Sequence, residues 1–144
     1  MKSVCCFTDC CPQSLPFGFN ESDERCKKLR ALLKEEIVKL IEEQGVTQYI
    51  SGMEIGIDMY AAELVLELKE EYPQIMLECV IPCESQAEKW SEPLRDRYFG
   101  IIERCDKETL LQTRYTPDCV QKRNRYMVLC KALHNTIYVK QTVM

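Results

Sequence analysis

The chain has 144 residues and a formal net charge of −4. That is long enough for one domain with its own core, and too acidic for a general nucleic-acid or membrane-surface binder. The opening residues Met1 to Phe7 lack the h-region length and cleavage pattern of a signal peptide, and no apolar run reaches membrane-spanning length. The expectation is therefore a single cytoplasmic domain over residues 1–144, with neither a membrane nor double-stranded DNA as partner.

Taken in order, Lys2 to Thr8 is short and apolar, as a buried central strand should be. Asp9 to Asn20, with Pro12, Pro16 and Gly18, reads as a loop. Cys26, Leu29, Leu33, Ile37, Leu40 and Ile41 recur at helical spacing and predict a helix from about Ser22 to Gln44, stopped by Gly45 at C′. Thr47 to Ser51 is a second strand. After a glycine-punctuated turn, Ala61, Leu64, Val65, Leu68 and Tyr72 mark one face of a second helix, closed by Pro73. Ile75 to Ile81 is a third strand, and Pro82 to Trp90 a loop or short helix. Glu92 to Cys105 is a third helix with Leu94, Tyr98, Ile101 and Ile102 inward. Lys107 to Gln112 is a weaker strand, Thr113 to Pro117 a turn, Asp118 to Lys131 a fourth helix and Asn135 to Val139 a fifth strand. Alternating strands and helices define a Rossmann-like three-layer α/β/α fold with a mostly parallel five-stranded sheet. Its ligands are expected outside the carboxyl ends of the strands, where Thr8 to Pro12, Ser51 to Asp58, Pro82 to Gln86 and Thr113 to Thr116 would converge.

The turn after the second strand is the centre of that expectation. In Tyr49-Ile50-Ser51-Gly52-Met53-Glu54-Ile55-Gly56-Ile57-Asp58, Gly52 and Gly56 can take positive φ and let a ligand approach the backbone. The unpaired N–H groups and positive dipole end of the following helix point to the same place, which makes an anion cradle. The spacing is neither G-x-G-x-x-G nor a Walker sequence, so a turn required by chain geometry alone stands beside the ligand reading.

The ten cysteines are scattered through predicted strands and helices, as reduced thiols serving as small buried hydrophobes would be. Cys6-x3-Cys10 and Cys79-x3-Cys83 formally fit zinc spacing, but neither is C-x-x-C and the one histidine, His134, lies far off and reads as a strand-edge residue. No metal and no cofactor are assigned.

Several stretches together carry a resemblance: Cys5-Cys6-Phe7-Thr8, Ile50-Ser51-Gly52-Met53-x-x-Gly56-x-Asp58-x-x-Ala61-Ala62-Glu63, Tyr72-Pro73, Val80-Ile81-Pro82-Cys83, Gln86, Trp90, Tyr115-Thr116 and Arg123-Asn124-Arg125-Tyr126. In colinear order over almost the whole chain they resemble the YpsA-like branch of the SLOG superfamily, which is related to the nucleotide-binding domains of DprA/Smf and the LOG phosphoribohydrolases. The resemblance implies a Rossmann-like domain that binds a nucleotide or nucleotide derivative, often as a homodimer. It also implies ligand contacts from Thr8, Ser51, Gly52, Met53, Gly56, Asp58, Glu63, Pro82, Trp90, Tyr115, Arg123 and Asn124. Two departures bear on function. Thr8-Asp9-Cys10-Cys11-Pro12 stands where the family has Thr-Gly-His-Arg-Pro, and the sequence ends at Met144, before the family's Gly-Gly-Thr turn, which suggests a C-terminally truncated member. The Pro-Gly-Gly-x-Gly-Thr-x-x-Glu pattern of the LOG enzymes is absent, and no catalytic residues are assigned.

Each residue has a plainer reading beside the functional one. Asp58 fits ribose recognition or the dipole of its helix, and Glu63 fits packing. Ser51 faces the crevice from a strand's carboxyl end. Arg123 offers a planar fork to a phosphate, or with Asn124 belongs to a solvated helix face. Trp90 and Tyr115 stack on a base or anchor a loop. Three functions follow: a module that senses or sequesters an ADP-ribose or NAD type of ligand; a nucleotide N-glycosidic hydrolase using Glu63 or Asp58; or a degenerate member kept as a structural or interaction domain.

Overall fold

The computed structural model describes residues 3–7, 20–133 and 135–139. In chain order the elements are β1 (Ser3–Phe7), α1 (Glu24–Gln44), β2 (Gln48–Ser51), α2 (Ile57–Leu68), β3 (Met76–Ile81), α3 (Glu92–Arg104), β4 (Lys107–Leu110), α4 (Cys119–Leu133) and β5 (Asn135–Val139). The sheet order is β4-β3-β2-β1-β5, every pairing is parallel, and registers such as Cys5↔Tyr49, Ile50↔Glu78 and Cys79↔Glu108 hold the strands. Strands β1, β2 and β3 carry the described side chains that build the core, while β4 is a mostly exposed edge. β5 pairs with β1 from Ser3↔Asn135 to Phe7↔Val139.

The order of strands decides where the helices go. The connections from β1 through β4 all step in one direction, and right-handed crossovers then place α1, α2 and α3 on one face. The connection through α4 returns to the far side of β1 and lies on the opposite face. Side-chain alternation matches this division. Cys5, Phe7, Tyr49, Leu77, Cys79 and Ile81 join the larger core under α1 to α3. Val4, Cys6, Ile50 and Val80 meet Met127 of α4 in the smaller one.

α1 begins at Asp23, whose carboxylate accepts from the Arg25 N–H at 2.8 Å, a side-chain N-cap. It ends at Gly45 in the left-handed conformation (φ 63), with Gly45 N–H donating to Ile41 O and Val46 N–H to Leu40 O, so the predicted glycine stop is confirmed. α2 differs from expectation. Met59, Tyr60, Ala62 and Leu66 are buried as well as the predicted Ala61, Leu64, Val65 and Leu68. The helix lies between α1 and α3, so its flanks are covered along with the face on the sheet. It also stops at Leu68, before Pro73.

Candidate functional site

The turn between β2 and α2 is closed by its own side chains. The Ser51 hydroxyl donates to Asp58 O at 2.9 Å and accepts from Met53 N–H at 3.1 Å, which ties the strand end to the first turn of α2. Asp58, 3% exposed, accepts from Glu54 N–H at 3.4 Å. A carboxylate of the protein thus sits at the helix N-terminus where an external anion was expected. The backbone strain also falls on different residues. Positive φ occurs at Met53 (60) and Gly56 (110), not at Gly52. Gly56 caps α2 at ψ −134, near a region essentially reserved for glycine.

Gly52 is small for another reason. A Cβ there would lie 2.9 Å from Arg123 Nε, 3.0 Å from Arg123 Cζ and 3.0 Å from Asp58 Oδ2. The space is occupied by Arg123, which reaches over from α4 and is 1% exposed. Its Nη1 donates to Gly52 O at 2.9 Å and to Glu54 Oε1 at 3.1 Å, while Nε and Nη2 donate to Asn124 Oδ1 at 3.3 and 3.2 Å. The guanidinium planned for a phosphate is therefore a buried clasp between α4 and the turn, and Asn124 serves as its acceptor. The expectation of a solvated basic helix face fails at Arg123.

Glu63 is committed elsewhere. It pairs with Arg97 Nη2 at 2.6 Å and with Arg30 Nη2 at 3.7 Å, and Glu21 pairs with the same two arginines. Burial works against the charge of Arg97, but the Glu63 and Glu21 carboxylates outweigh it and raise the pKa further. This network ties α1 and the residues before it to the middles of α2 and α3.

Open space lies beside the turn. A cleft of about 500 Å³ is walled by Glu54, Pro82, Cys83, Gln86, Trp90 and Tyr115, with Ser85, Glu88, Lys89, Cys119 and Val120 completing its lining. Hydrogen bonds join the loops that form it. Glu84 N–H donates to Thr113 O at 3.2 Å, and Gln86 Nε2 donates to Gly52 O at 3.2 Å and Glu54 Oε1 at 3.2 Å. Tyr98 donates to Gln86 Oε1 at 3.0 Å and so fixes the amide. Burial pushes the Tyr98 hydroxyl well above its ordinary pKa and keeps it a donor. Trp90 stands edge-on to Tyr98 with centroids 5.2 Å apart, whereas Tyr115 is 65% exposed.

Of the predicted site residues, Pro82, Trp90 and Tyr115 meet in the cleft. Ser51, Gly52, Met53, Gly56, Asp58, Arg123 and Asn124 build the turn and clasp behind it, and Glu63 lies in the ion-pair network. Thr8, the Cys10–Cys11 loop and His134 lie outside the described residues. Glu54 and Gln86 were missed as site residues. Both lie in stretches expected to converge at the site, but neither was singled out as a contact, and the place of Glu54 depends on Arg123, distant in sequence. Among the described residues no cluster of three or more His, Cys, Asp or Glu side chains could hold a metal ion. Cys5, Cys6, Cys26, Cys79, Cys83 and Cys119 are buried.

A parallel sheet with helices on both faces, and a cleft at the carboxyl ends of β3 and β4 against the β2–α2 turn, define a Rossmann-like α/β protein with a small-molecule-sized site. The chain belongs to the YspA SLOG family, whose model matches residues 7–141. It is 40% identical over 98 residues to a UPF0398 protein of Brevibacillus brevis, covering 67% of this chain and 52% of that one. Similarity to a UPF0398 protein of Lactobacillus acidophilus is 31% over 106 residues, covering 74% and 56%. To the UPF0398 protein YpsA of Bacillus subtilis it is 25% over 112 residues, covering 76% and 62%. The chain thus spans about half to three-fifths of the length of these curated relatives. Among the described residues, no helix is long and apolar enough to cross a membrane.

Proposed function

We propose that the chain is a binding module for a nucleotide-derived ligand, of the ADP-ribose or NAD type, which it senses or sequesters in the cytoplasm. The observation that carries this reading is the cleft: about 500 Å³ at the carboxyl ends of the strands, with Trp90 and Tyr115 on its wall. That volume suits a small molecule, and an aromatic wall suits a nucleobase. Family membership supports the same ligand class. The hydrolytic reading has less support, because both carboxylates considered for it serve the fold. Glu63 is held by two arginines, and Asp58 is buried against the turn.

Native mass spectrometry of the purified protein tests the reading by detecting a retained nucleotide, and calorimetric titration of ADP-ribose, NAD and AMP tests it directly. Binding of none of these up to millimolar concentration would sink it. Double-stranded DNA is not a partner in this reading, since an acidic surface cannot neutralise many phosphates. Submicromolar anisotropy at physiological salt would contradict that. The homodimer implied by the resemblance is checked by sedimentation.

A further inference from the structure

Among the polar groups on the cleft wall, Glu54 is held in an unusual way. Its Oε1 accepts from Arg123 Nη1 at 3.1 Å and from Gln86 Nε2 at 3.2 Å, whereas its Oε2 has no partner among the described residues. The side chain is 36% exposed while that of Arg123 behind it is 2% exposed. One oxygen is thus pinned by a buried cation and an amide, and Tyr98 orients that amide in turn. The carboxylate is charged, fixed, and keeps one oxygen with two acceptor lone pairs available at the edge of an aromatic-walled cavity.

The charges on the wall point the same way. Among the described residues that line the cleft Lys89 is the one cation, it is exposed, and Glu88 precedes it. Arg123 is already committed to three acceptors. A polyphosphate would meet a single solvent-screened ammonium and two carboxylates there. An uncharged planar ring with neighbouring hydroxyl donors would meet aromatic surface and an oriented acceptor.

We infer that the cleft holds the nucleoside end of its ligand, with the ring against Trp90 and Tyr115 and the vicinal ribose hydroxyls donating to Glu54, while Arg123, Gln86 and Tyr98 act as positioning residues. This rests on the proposed nucleotide-derived ligand and assigns the ribose contact to Glu54 instead of Asp58. Phosphates attached to the nucleoside project out of the cleft and add little affinity.

The experiment uses Trp90, the chain's single tryptophan, as its probe. Its emission is titrated with adenosine, AMP, ADP-ribose and 2′,3′-dideoxyadenosine. Adenosine should bind within about threefold of AMP and ADP-ribose, and the dideoxy compound at least tenfold more weakly. Glu54→Gln should weaken adenosine by at least tenfold, since an amide loses the charge of the acceptor. Tyr115→Ala, at an exposed position that leaves folding intact, should weaken it severalfold. If ADP-ribose binds while adenosine does not, or if the dideoxy compound and Glu54→Gln behave like the wild type, the inference is overturned and the broader ligand reading stands. If neither these four nor NAD binds by emission or by calorimetry, both fall.

Discussion

Arg123 of α4 donates to the carbonyl oxygen of Gly52 at 2.9 Å, and its Nε stands 2.9 Å from where a Gly52 Cβ would be. The two residues are 71 positions apart and form one contact, in which the missing side chain of one admits the guanidinium of the other.

A first prediction follows from that contact. Gly52→Ala should destabilise the fold by about 1–3 kcal/mol, the usual cost of overpacking, because Arg123 and Asp58 crowd the new methyl. Arg123→Ala should cost about 1.5–3 kcal/mol for a lost charge-assisted hydrogen bond. The double variant should cost less than the sum of the two by at least about 0.5 kcal/mol, since the truncated arginine leaves room for the methyl. Urea unfolding of the four proteins measures this, and strict additivity would show that the contact does not matter.

The second prediction concerns Glu78, a carboxylate on the interior strand β3 that is 2% exposed. It accepts from Gln48 Nε2 at 3.1 Å, Thr109 Oγ1 at 2.7 Å and Tyr126 Oη at 2.9 Å. Burying a charge is tolerable only with such partners. Tyr126→Phe should therefore cost about 1.5–3 kcal/mol, and Glu78→Ala at least as much because three donors lose their acceptor. A Glu78→Ala variant as stable as wild type would disprove the account.

These two clusters show what the sequence could and could not reveal. The periodicity of α1 and its stop at Gly45 were legible because both are local. So was the alternation of strands and helices, which dictates the parallel sheet. The aromatic wall was legible at Trp90 and Tyr115 through resemblance. Glu78 fell inside the predicted third strand without being singled out, since its partners come from β2, β4 and α4. The positive φ predicted for Gly52 fell on Met53, because the hydrogen bonds of Ser51 and Gln86 set the path of the turn. Nothing local marked Arg123 as buried, since its acceptors, apart from Asn124, lie on the turn before α2.

A third prediction concerns acid. Partial burial of Asp106 opposes its charge, but the Lys69 ammonium and the Leu77 N–H, which it accepts at 2.9 Å, hold its pKa below the usual 3.8. Asp23 is brought down to about 2 by the Arg25 side chain and N–H. Both folded pKa values lie below the unfolded ones, so this stability is present above about pH 4 and is lost as pH falls through the folded values. Asp106→Asn should therefore lower the urea midpoint at pH 7, and the gap to wild type should narrow as pH falls below about 4. A gap that stays constant with pH would rule out the linkage.

The last prediction concerns the described thiols, six of which are buried. Cys5 and Cys79 are fully buried. Burial foremost, with the neighbouring Cys6 and Cys105 respectively, pushes both far above the usual thiol pKa near 9.0. Reaction needs the thiolate and access to it, so both should resist alkylation while the protein is folded. Cys105 is partly exposed. Its pKa is raised mainly by burial, and its sulfur donates to Ile102 O at 3.0 Å. It should react slowly, yet well ahead of Cys79 on the adjoining strand. Iodoacetamide labelling at pH 8, read by peptide mass spectrometry with and without urea, tests the order. Among the cysteines of described burial, Cys105 should label first in the native protein, and the Cys5 and Cys79 peptides only when urea unfolds the chain. Native labelling of Cys79 at the rate of Cys105 would mean that β3 opens locally, and that the larger core is not closed over its thiol.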